Sequence, residues 1–210
     1  MFVNENFTGI KVSTPKNDIY VLDNKFISDK NAVYYMEGNR PVRSKFYIKD
    51  NKGKELYVCQ YQLFSDGNFK DSKGNNILSF KIKDHLFSKQ SELNIKYGEN
   101  DQNICCMLTR RIAFGYFKFY VEFYNKATER NEILDVQIKF NFKNCNIYYG
   151  KQKENGQLIC SFSSPIKLKY NFKIEIAPNV DHLFINALVF NLVQLIRTKK
   201  AQGAASAASG

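Results

Sequence analysis

The sequence lacks several patterns on which enzymes rely. It contains no Trp and two His, His85 and His182. It has no GxSxG, P-loop or GxGxxG motif, which excludes a nucleophile elbow, a nucleotide-phosphate loop and a dinucleotide fingerprint. A Cys–His pair is still available, but no pattern marks one. We therefore expect a protein that is not an enzyme and that uses neither a metal nor a cofactor.

The cysteines also lack a recognisable pairing pattern. They are Cys59, Cys105, Cys106, Cys145 and Cys160, and no two of them form a CxxC pair. The N-terminus has no basic region followed by an apolar one, so we predict no signal peptide. Reduced and mostly buried thiols in a cytoplasmic protein are expected rather than a disulfide framework.

Long apolar runs are absent except for one, from Leu183 to Ile196. This run has no Gly, Pro or charge and is too long for an ordinary strand, which predicts a helix. Its boundaries are marked by Pro178, by Asn179 or Asp181 as the cap, and by the basic residues Arg197, Lys199 and Lys200.

The predicted helix is apolar around most of its circumference. Asn186 and Asn191 point in directions roughly 140° apart, so no single polar face exists. A membrane span needs about 18 to 20 apolar residues, and the run from Leu183 to Ile196 is shorter than that. Its length favours a buried core helix over a transmembrane one. We predict that its core residues include Leu183, Phe184, Leu188, Phe190, Leu192 and Leu195.

The residues before this helix predict about a dozen short strands separated by turns. Lys45–Lys49 alternates clearly, and Asp66-Gly67 and Asn155-Gly156 are turn signals. The series is predicted to begin at Ile19–Leu22, and Leu134–Phe142 is predicted to have one face in water and one in the core.

Only a closed or nearly closed sheet can surround a helix on all sides. The expected fold is therefore mainly β, a closed antiparallel barrel around the C-terminal helix. We assign residues 1–18 to an N-terminal arm, 19–200 to the barrel domain and 201–210 to a disordered tail.

The formal charge of +11 permits attraction to anionic lipid or to nucleic acid. Lysine is also spread along the whole chain, which is what a biased composition alone would produce. Phosphate groups are bound where Arg and Lys converge on one face, whereas a single cluster is also typical of a solvated surface. The candidate headgroup residues are Arg40, Arg43, Lys45, Arg110, Arg111, Lys167 and Lys169.

Nucleic acid is the competing partner. Tyr116–Phe119 interleaves aromatic rings with Lys118, as a base-stacking platform does. A barrel strand whose inner face covers the helix explains the same residues, and we favour that interpretation.

Three segments carry a family resemblance: FYIKDNKGKELY at Phe46–Tyr57, KDSKGNNILSFKIK at Lys70–Lys83, and YNFKIEIAPNVDHLFINALVF at Tyr170–Phe190. Together they resemble the LURP-one-related proteins, part of the tubby C-terminal-like superfamily with the phospholipid scramblases. The resemblance covers roughly residues 19 to 197. It implies a barrel threaded by its own C-terminal helix.

The resemblance also implies an association with lipid. The tubby branch binds phosphoinositides through basic residues, and the scramblase branch is associated with membranes and calcium. The acidic calcium pattern is absent, because Asp50 and Asp71 lie in Lys-containing turns. The resemblance supplies no enzymatic activity.

We therefore expect a non-enzymatic cytoplasmic module, peripheral at membranes, that binds anionic phospholipid headgroups or holds a protein partner there. The alternative is a nucleic-acid-associated or regulatory interaction module. A structural module without a ligand is a third interpretation.

Overall fold

The computed structural model describes residues 11–38, 43–62, 66–84, 89–98, 102–164 and 171–208. Twelve strands of the described chain pair antiparallel into one closed barrel. They are β1 (Ala32–Gly38), β2 (Arg43–Lys49), β3 (Glu55–Gln62), β4 (Gly67–Asp71), β5 (Asn76–Asp84), β6 (Gln90–Tyr97), β7 (Gln102–Ala113), β8 (Tyr116–Asn125), β9 (Arg130–Lys139), β10 (Cys145–Tyr149), β11 (Gln157–Ser163) and β12 (Phe172–Ile176). Each strand pairs with its neighbours in sequence, and β1 closes the barrel on β12.

The helix α1 (His182–Ala208) runs through this barrel, which confirms the predicted architecture. The predicted core residues Leu183, Phe184, Leu188, Phe190, Leu192 and Leu195 are all buried. Strand side chains alternate between the two faces, so every strand offers a row of apolar residues to the helix. The apolar circumference of the helix is thus covered from all sides.

Phe190 is the centre of an aromatic cluster inside the barrel. Its ring centroid lies 5.0 Å from that of Phe46 and 5.6 Å from that of Phe80. Each of these rings lies over a glycine, Gly38 or Gly67, where an added Cβ would overlap the ring. The two glycines therefore make room for the rings that contact the helix.

Asp181 caps the start of α1, as one of the two predicted candidates. Its Oδ1 accepts from the backbone N–H of Phe184 at 2.9 Å, and its Oδ2 accepts from Leu22 at 2.9 Å and Val21 at 3.3 Å. The carboxyl group is buried, and this burial raises its pKa to about 6. One side chain thus joins the helix to the N-terminal segment.

The predicted strand at Ile19–Leu22 is wrong. Ile19 donates its N–H to the carbonyl of Asn179 at 2.8 Å, and the N–H groups two and three residues later bond the Asp181 carboxylate. Because these donors serve the loop and cap before the helix, they cannot form a strand ladder. A 3₁₀ turn at Asn24–Phe26 follows.

The expectation that one face of Leu134–Phe142 is in water is also wrong. Asp135 is 4% exposed, because its carboxylate lies under residues 150–152 and accepts from the Gln152 N–H at 3.1 Å. β9 ends at Lys139, and Phe140 lies in the following turn with half of its surface exposed. Phe140 therefore leaves the inner face on which the alternation places it.

The helix continues into the predicted tail. Residues 201–208 extend α1 to Ala208, so the predicted disorder from residue 201 is wrong for this segment. This segment is rich in Ala, the residue with the highest helix propensity, which explains the continuation.

The barrel has two different ends, because alternate turns of an antiparallel barrel lie on opposite sides. At the end where α1 begins, residues 11–27 contact the helix start and the neighbouring turns, and we call this the capped end. The described part of the arm belongs to this layer, since Ser13 donates its N–H to the Leu158 carbonyl at 2.8 Å. α1 leaves the barrel at the opposite end, where Ile196 is buried and Lys200 is exposed.

Candidate functional site

The predicted basic residues that the structure describes share the barrel end from which α1 emerges. Arg43 begins β2 with Lys45 close behind, and Arg110 and Arg111 lie near the end of β7. β2 is five places from β7 in the order of the twelve barrel strands, so these two groups lie on nearly opposite sides of that end. The structure therefore does not join them into one pocket. Arg40, Lys167 and Lys169 lie outside the described residues.

Strand register gathers further cations beside Arg111. Arg111 is directly opposite Lys118, and Tyr116 is opposite Lys139 on the next strand. Like charges at directly opposed positions destabilise a sheet. Arg111 is held by Tyr120, whose hydroxyl accepts from its guanidinium and whose ring centroid lies 4.5 Å from it. A bound anion would relieve the repulsion between the two cations.

The end of α1 brings a cation to the same place. Lys200 donates from Nζ to the carbonyl of Phe140 at 3.0 Å and lies 5.2 Å from the ring centroids of Phe117 and Phe142. Partial burial, with the nearby charge of Arg197, lowers the pKa of Lys200. Helix and turn are thus fixed to one another by a charged side chain.

Two phenylalanines are exposed among these cations. Phe114 is 103% exposed at the tip of the β7–β8 turn, and Phe140 is 48% exposed in the β9–β10 turn. The two turns are joined, because Phe140 donates its N–H to the Gly115 carbonyl at 3.2 Å. The ring of Phe117 packs on Phe140 with centroids 4.7 Å apart. Exposed aromatic side chains gathered on one surface indicate an interaction site.

The segments that build this surface contain no acidic residue. Residues 102–121, 136–153 and 182–210 are free of Asp and Glu. Every charged residue of these three segments is therefore basic, unlike the mixed charge of the rest of the chain. We call this surface the basic rim. It comprises Arg110, Arg111, Phe114, Lys118, Lys139, Phe140, Lys143 and Lys200.

A second polar feature is an open cleft of about 310 Å³ on the outer wall of β5, β6 and β7. Its cations include Lys81, Lys83 and Lys96. Lys81 is 3.2 Å from Asp66, and Lys83 is 3.7 Å from Glu92. These two ion pairs offset the charge of the cleft, so it attracts an anion less than the basic rim does.

The thiols and the described histidine do not form a catalytic pair. All five cysteines are free and four are buried, as predicted, and burial raises the pKa of Cys106 and Cys145 to about 12. His182 begins α1 and stacks on Tyr34 with ring centroids 5.4 Å apart. Burial lowers its pKa to about 4. His85 lies outside the described residues.

No metal site is visible in the described ranges. Within them, no group of three or more His, Cys, Asp or Glu side chains is arranged to hold an ion. The turn carboxylates of Asp50 and Asp71 instead accept backbone N–H groups of Lys52 and Lys73, each at 2.9 Å or less. The two carboxylates therefore have the turn role that the sequence predicts.

Comparison with known proteins assigns the chain to a family. The family model described as LURP-one-related matches residues 33–192. The chain belongs to the LURP-one-related family. An X-ray structure of a protein from Arabidopsis thaliana is similar to it, with 20% identity and a TM-score of 0.58, over 84% of this chain and 98% of that one. At this identity the likeness shows the fold. No curated protein matches the chain.

The sequence did not identify Lys118, Lys139, Lys143, Phe114 and Phe140 as candidate headgroup residues of this LURP-one-related protein. Lys139, Phe140 and Lys143 lie close together in sequence, but they meet Phe114 and Lys118 only through the β7–β8–β9 register. The acid-free segments were the available signal, since they mark the parts of the chain that meet at this surface. Among the described residues, no helix combines the length and apolarity needed to cross a membrane.

Proposed function

We propose that this LURP-one-related protein binds the surface of anionic phospholipid membranes through the basic rim. The observation that supports the proposal is the meeting of three acid-free segments at one barrel end. The proposed binding unit is the barrel domain, residues 19–200. The protein is then a peripheral, non-enzymatic membrane-binding module.

The expected strength follows from the number of rim cations. Each Lys or Arg near an anionic membrane contributes about 1 kcal/mol, and the attraction decays over a Debye length of about 8 Å at physiological salt. Arg110, Arg111 and Lys143 are exposed, and Lys118 and Lys139 are partly exposed. A surface of this kind binds through the charge density of the membrane and is weakened by salt.

The test compares two variants that lose equal charge. One carries Arg110→Gln, Lys139→Gln and Lys143→Gln in the basic rim. The control carries Lys52→Gln, Lys54→Gln and Lys73→Gln, three exposed lysines in the turns after β2 and β4 at the capped end. Both have the same net charge, so a difference between them reports position.

Cosedimentation is measured with vesicles of phosphatidylcholine alone, with phosphatidylserine, and with a phosphoinositide, each at low and high salt. The wild type and the control are expected to bind the anionic vesicles and to release them in salt. The rim variant is expected to bind about 100-fold more weakly, from about 1 kcal/mol per lost charge. Equal binding of both variants, or equal binding of neutral and anionic vesicles, contradicts the proposal.

The nucleic-acid alternative receives less support from the structure. Phe119 is buried in the barrel, and Phe117 packs on Phe140, so Tyr116–Phe119 does not present a row of open rings. A gel-shift series with single-stranded DNA and RNA decides between the two partners. Retention of single strands without any vesicle binding replaces the lipid proposal with the alternative.

A further inference from the structure

We propose that Phe114 and Phe140 enter the interfacial layer of an anionic bilayer. The barrel is then oriented with its basic rim facing the lipid. This inference rests on the proposed lipid binding and adds an apolar contact and an orientation to it. A purely electrostatic surface would adsorb to headgroups in any orientation that presents cations.

Phe114 is held away from the protein by its turn. β7 and β8 are joined by the two residues Phe114 and Gly115, and Ala113 pairs directly with Tyr116. Gly115 has a φ of 77°, a left-handed conformation that glycine adopts without a steric penalty. The short turn leaves Phe114 at the tip with its ring in solvent. Exposure of this apolar ring to water is unfavourable relative to burial in an apolar environment.

The position of Phe140 is fixed by Phe142, which lies in the same turn. Two residues later Phe142 has a φ of 57°, unusual for a residue with a side chain, and its ring is buried against Phe172 with centroids 5.8 Å apart. The N–H of Ser164 donates to the Phe142 carbonyl at 2.8 Å. Because the turn is anchored at Phe142, Phe140 projects beside the β7–β8 turn as a fixed part of the surface.

The charge around Phe114 and Phe140 indicates which kind of partner binds them. A hydrophobic protein partner would meet a ring of lysines and arginines, whose desolvation is costly. The membrane interface offers both chemistries at once, since aromatic rings settle at the headgroup level and basic side chains contact lipid phosphates. Of the three large apolar side chains that are exposed in the described chain, Phe114, Phe140 and Tyr124, two belong to the basic rim.

The test uses the absence of tryptophan from the sequence, which makes any introduced Trp the only one. Phe114→Trp and Phe140→Trp place the reporter in the basic rim. Tyr124→Trp is the matched control, because Tyr124 is 48% exposed like Phe140 but lies at the other end of β8. Each variant is mixed with phosphatidylserine vesicles containing brominated lipid, and cosedimentation is measured on the same samples.

We expect a blue shift and quenching by about half for Trp at positions 114 and 140, and neither change for Trp at position 124. Binding in cosedimentation without quenching at position 114 overturns the insertion and leaves electrostatic binding standing. Quenching at position 124 alone overturns the orientation. Absence of binding by every variant and by the wild type overturns both the insertion and the function on which it rests.

A second readout is independent of fluorescence. Phe114→Ser is expected to weaken binding to phosphatidylserine vesicles about tenfold, since a buried aromatic ring contributes to binding on that scale. Tyr124→Ser is expected to leave binding unchanged. Both positions are exposed, so neither variant should fail to fold. Equal affinities of the two variants contradict the insertion.

Discussion

The two ends of this barrel differ in how their polar and aromatic groups are used. At the capped end, the side chains bond one another and the N-terminal segment. At the basic rim, Phe114, Phe140 and several cations are exposed to solvent. Both ends belong to one sheet and one helix, so the difference arises from the turns and from what covers them. A closed barrel can thus secure its stability at one end and expose an interaction surface at the other.

Asn125 shows how the capped end is joined. It is fully buried, and its Nδ2 donates to Glu132 at 2.7 Å and to the Asp18 carbonyl at 3.0 Å. Its Oδ1 accepts from Ala127 at 3.1 Å and Tyr20 at 3.2 Å. All the hydrogen-bonding capacity of the amide is used, as expected for a buried polar group that stabilises a fold.

The largest contrast is expected between two phenylalanines. Phe26 packs edge-on against Tyr97 and His182 at the capped end, with ring centroids 5.8 Å from each, whereas Phe114 is fully exposed. Phe26→Ala should lower the free energy of unfolding by about 3 kcal/mol and Phe114→Ala by less than about 0.5 kcal/mol. Urea denaturation measures both. Similar losses would contradict the difference between the ends.

Removal of the Asn125 amide should lower the free energy of unfolding by less than Phe26→Ala does. Asn125→Ala leaves the buried groups around it without partners, and a loss of about 2 kcal/mol is expected. Asn144→Ala is the control, because Asn144 is exposed in the β9–β10 turn of the opposite end. We expect the control to change stability by less than about 0.5 kcal/mol. An equal effect in the two melts would show that the capped end is not specially stabilised.

The pH dependence of stability should separate Asp181 from His182. The folded pKa of His182 is about 4, below its usual value of 6.5, so acidification from 6.5 to 4 protonates the unfolded state first and lowers stability. The folded pKa of Asp181 is about 6, above its usual value of 3.8, so a rise in pH from 3.8 to 6 ionises the unfolded state first and lowers stability. The two effects oppose one another in the wild type.

Because each substitution removes one of the two opposing effects, it should reveal the pH dependence of stability that the other group causes. Asp181→Asn should lose about 2 kcal/mol of stability as pH falls from 6.5 to 4, and His182→Phe should lose about 2 kcal/mol as pH rises from 4 to 6. The measurement is a series of denaturant melts at each pH. Parallel curves for the wild type and both variants would contradict the assigned burial of these groups.

The smallest effect is expected inside the barrel, between the two ends. Asn191 is buried and donates from Nδ2 to the Ala187 carbonyl of its own helix at 2.8 Å, while its Oδ1 has no hydrogen-bond partner among the residues that the structure describes. The Ala187 carbonyl is already a hydrogen-bond acceptor of the helix backbone, so it keeps a partner when the Asn191 amide is removed. Asn191→Leu should therefore be neutral or stabilising by up to about 1 kcal/mol. A loss of more than about 2 kcal/mol in denaturant melts would indicate a polar network instead.

The sequence allowed the middle of the molecule to be predicted better than its ends. The helix could be recognised because its apolar residues are contiguous, and its all-round apolarity required an enclosing sheet. β4 escaped prediction because its five residues lie between the turn signals at Asp66-Gly67 and Asp71-Ser72-Lys73-Gly74. The predicted strand at Ile19–Leu22 and the undetected β4 offset one another in the expected number of strands.

The candidate site depends on tertiary register and was predictable only in part. Arg110 and Arg111 are adjacent in sequence and were identified. Lys118, Lys139 and Lys143 are single cations, and no local pattern states that a closed barrel brings them to the same place. Phe140 continues the inner alternation of β9 in sequence, but β9 ends at Lys139 and Phe140 lies half exposed in the turn that follows.

Hydrogen–deuterium exchange on lipid nanodiscs tests the difference between the two ends most directly. The protein is compared with and without nanodiscs that contain phosphatidylserine, and with phosphatidylcholine nanodiscs as the control. The proposed orientation predicts slower exchange at residues 113–117 and 139–144 with the anionic lipid and unchanged exchange at 50–54 and 72–75. Protection confined to the capped-end turns, or to the outer wall at 79–83 and 94–96, would contradict it.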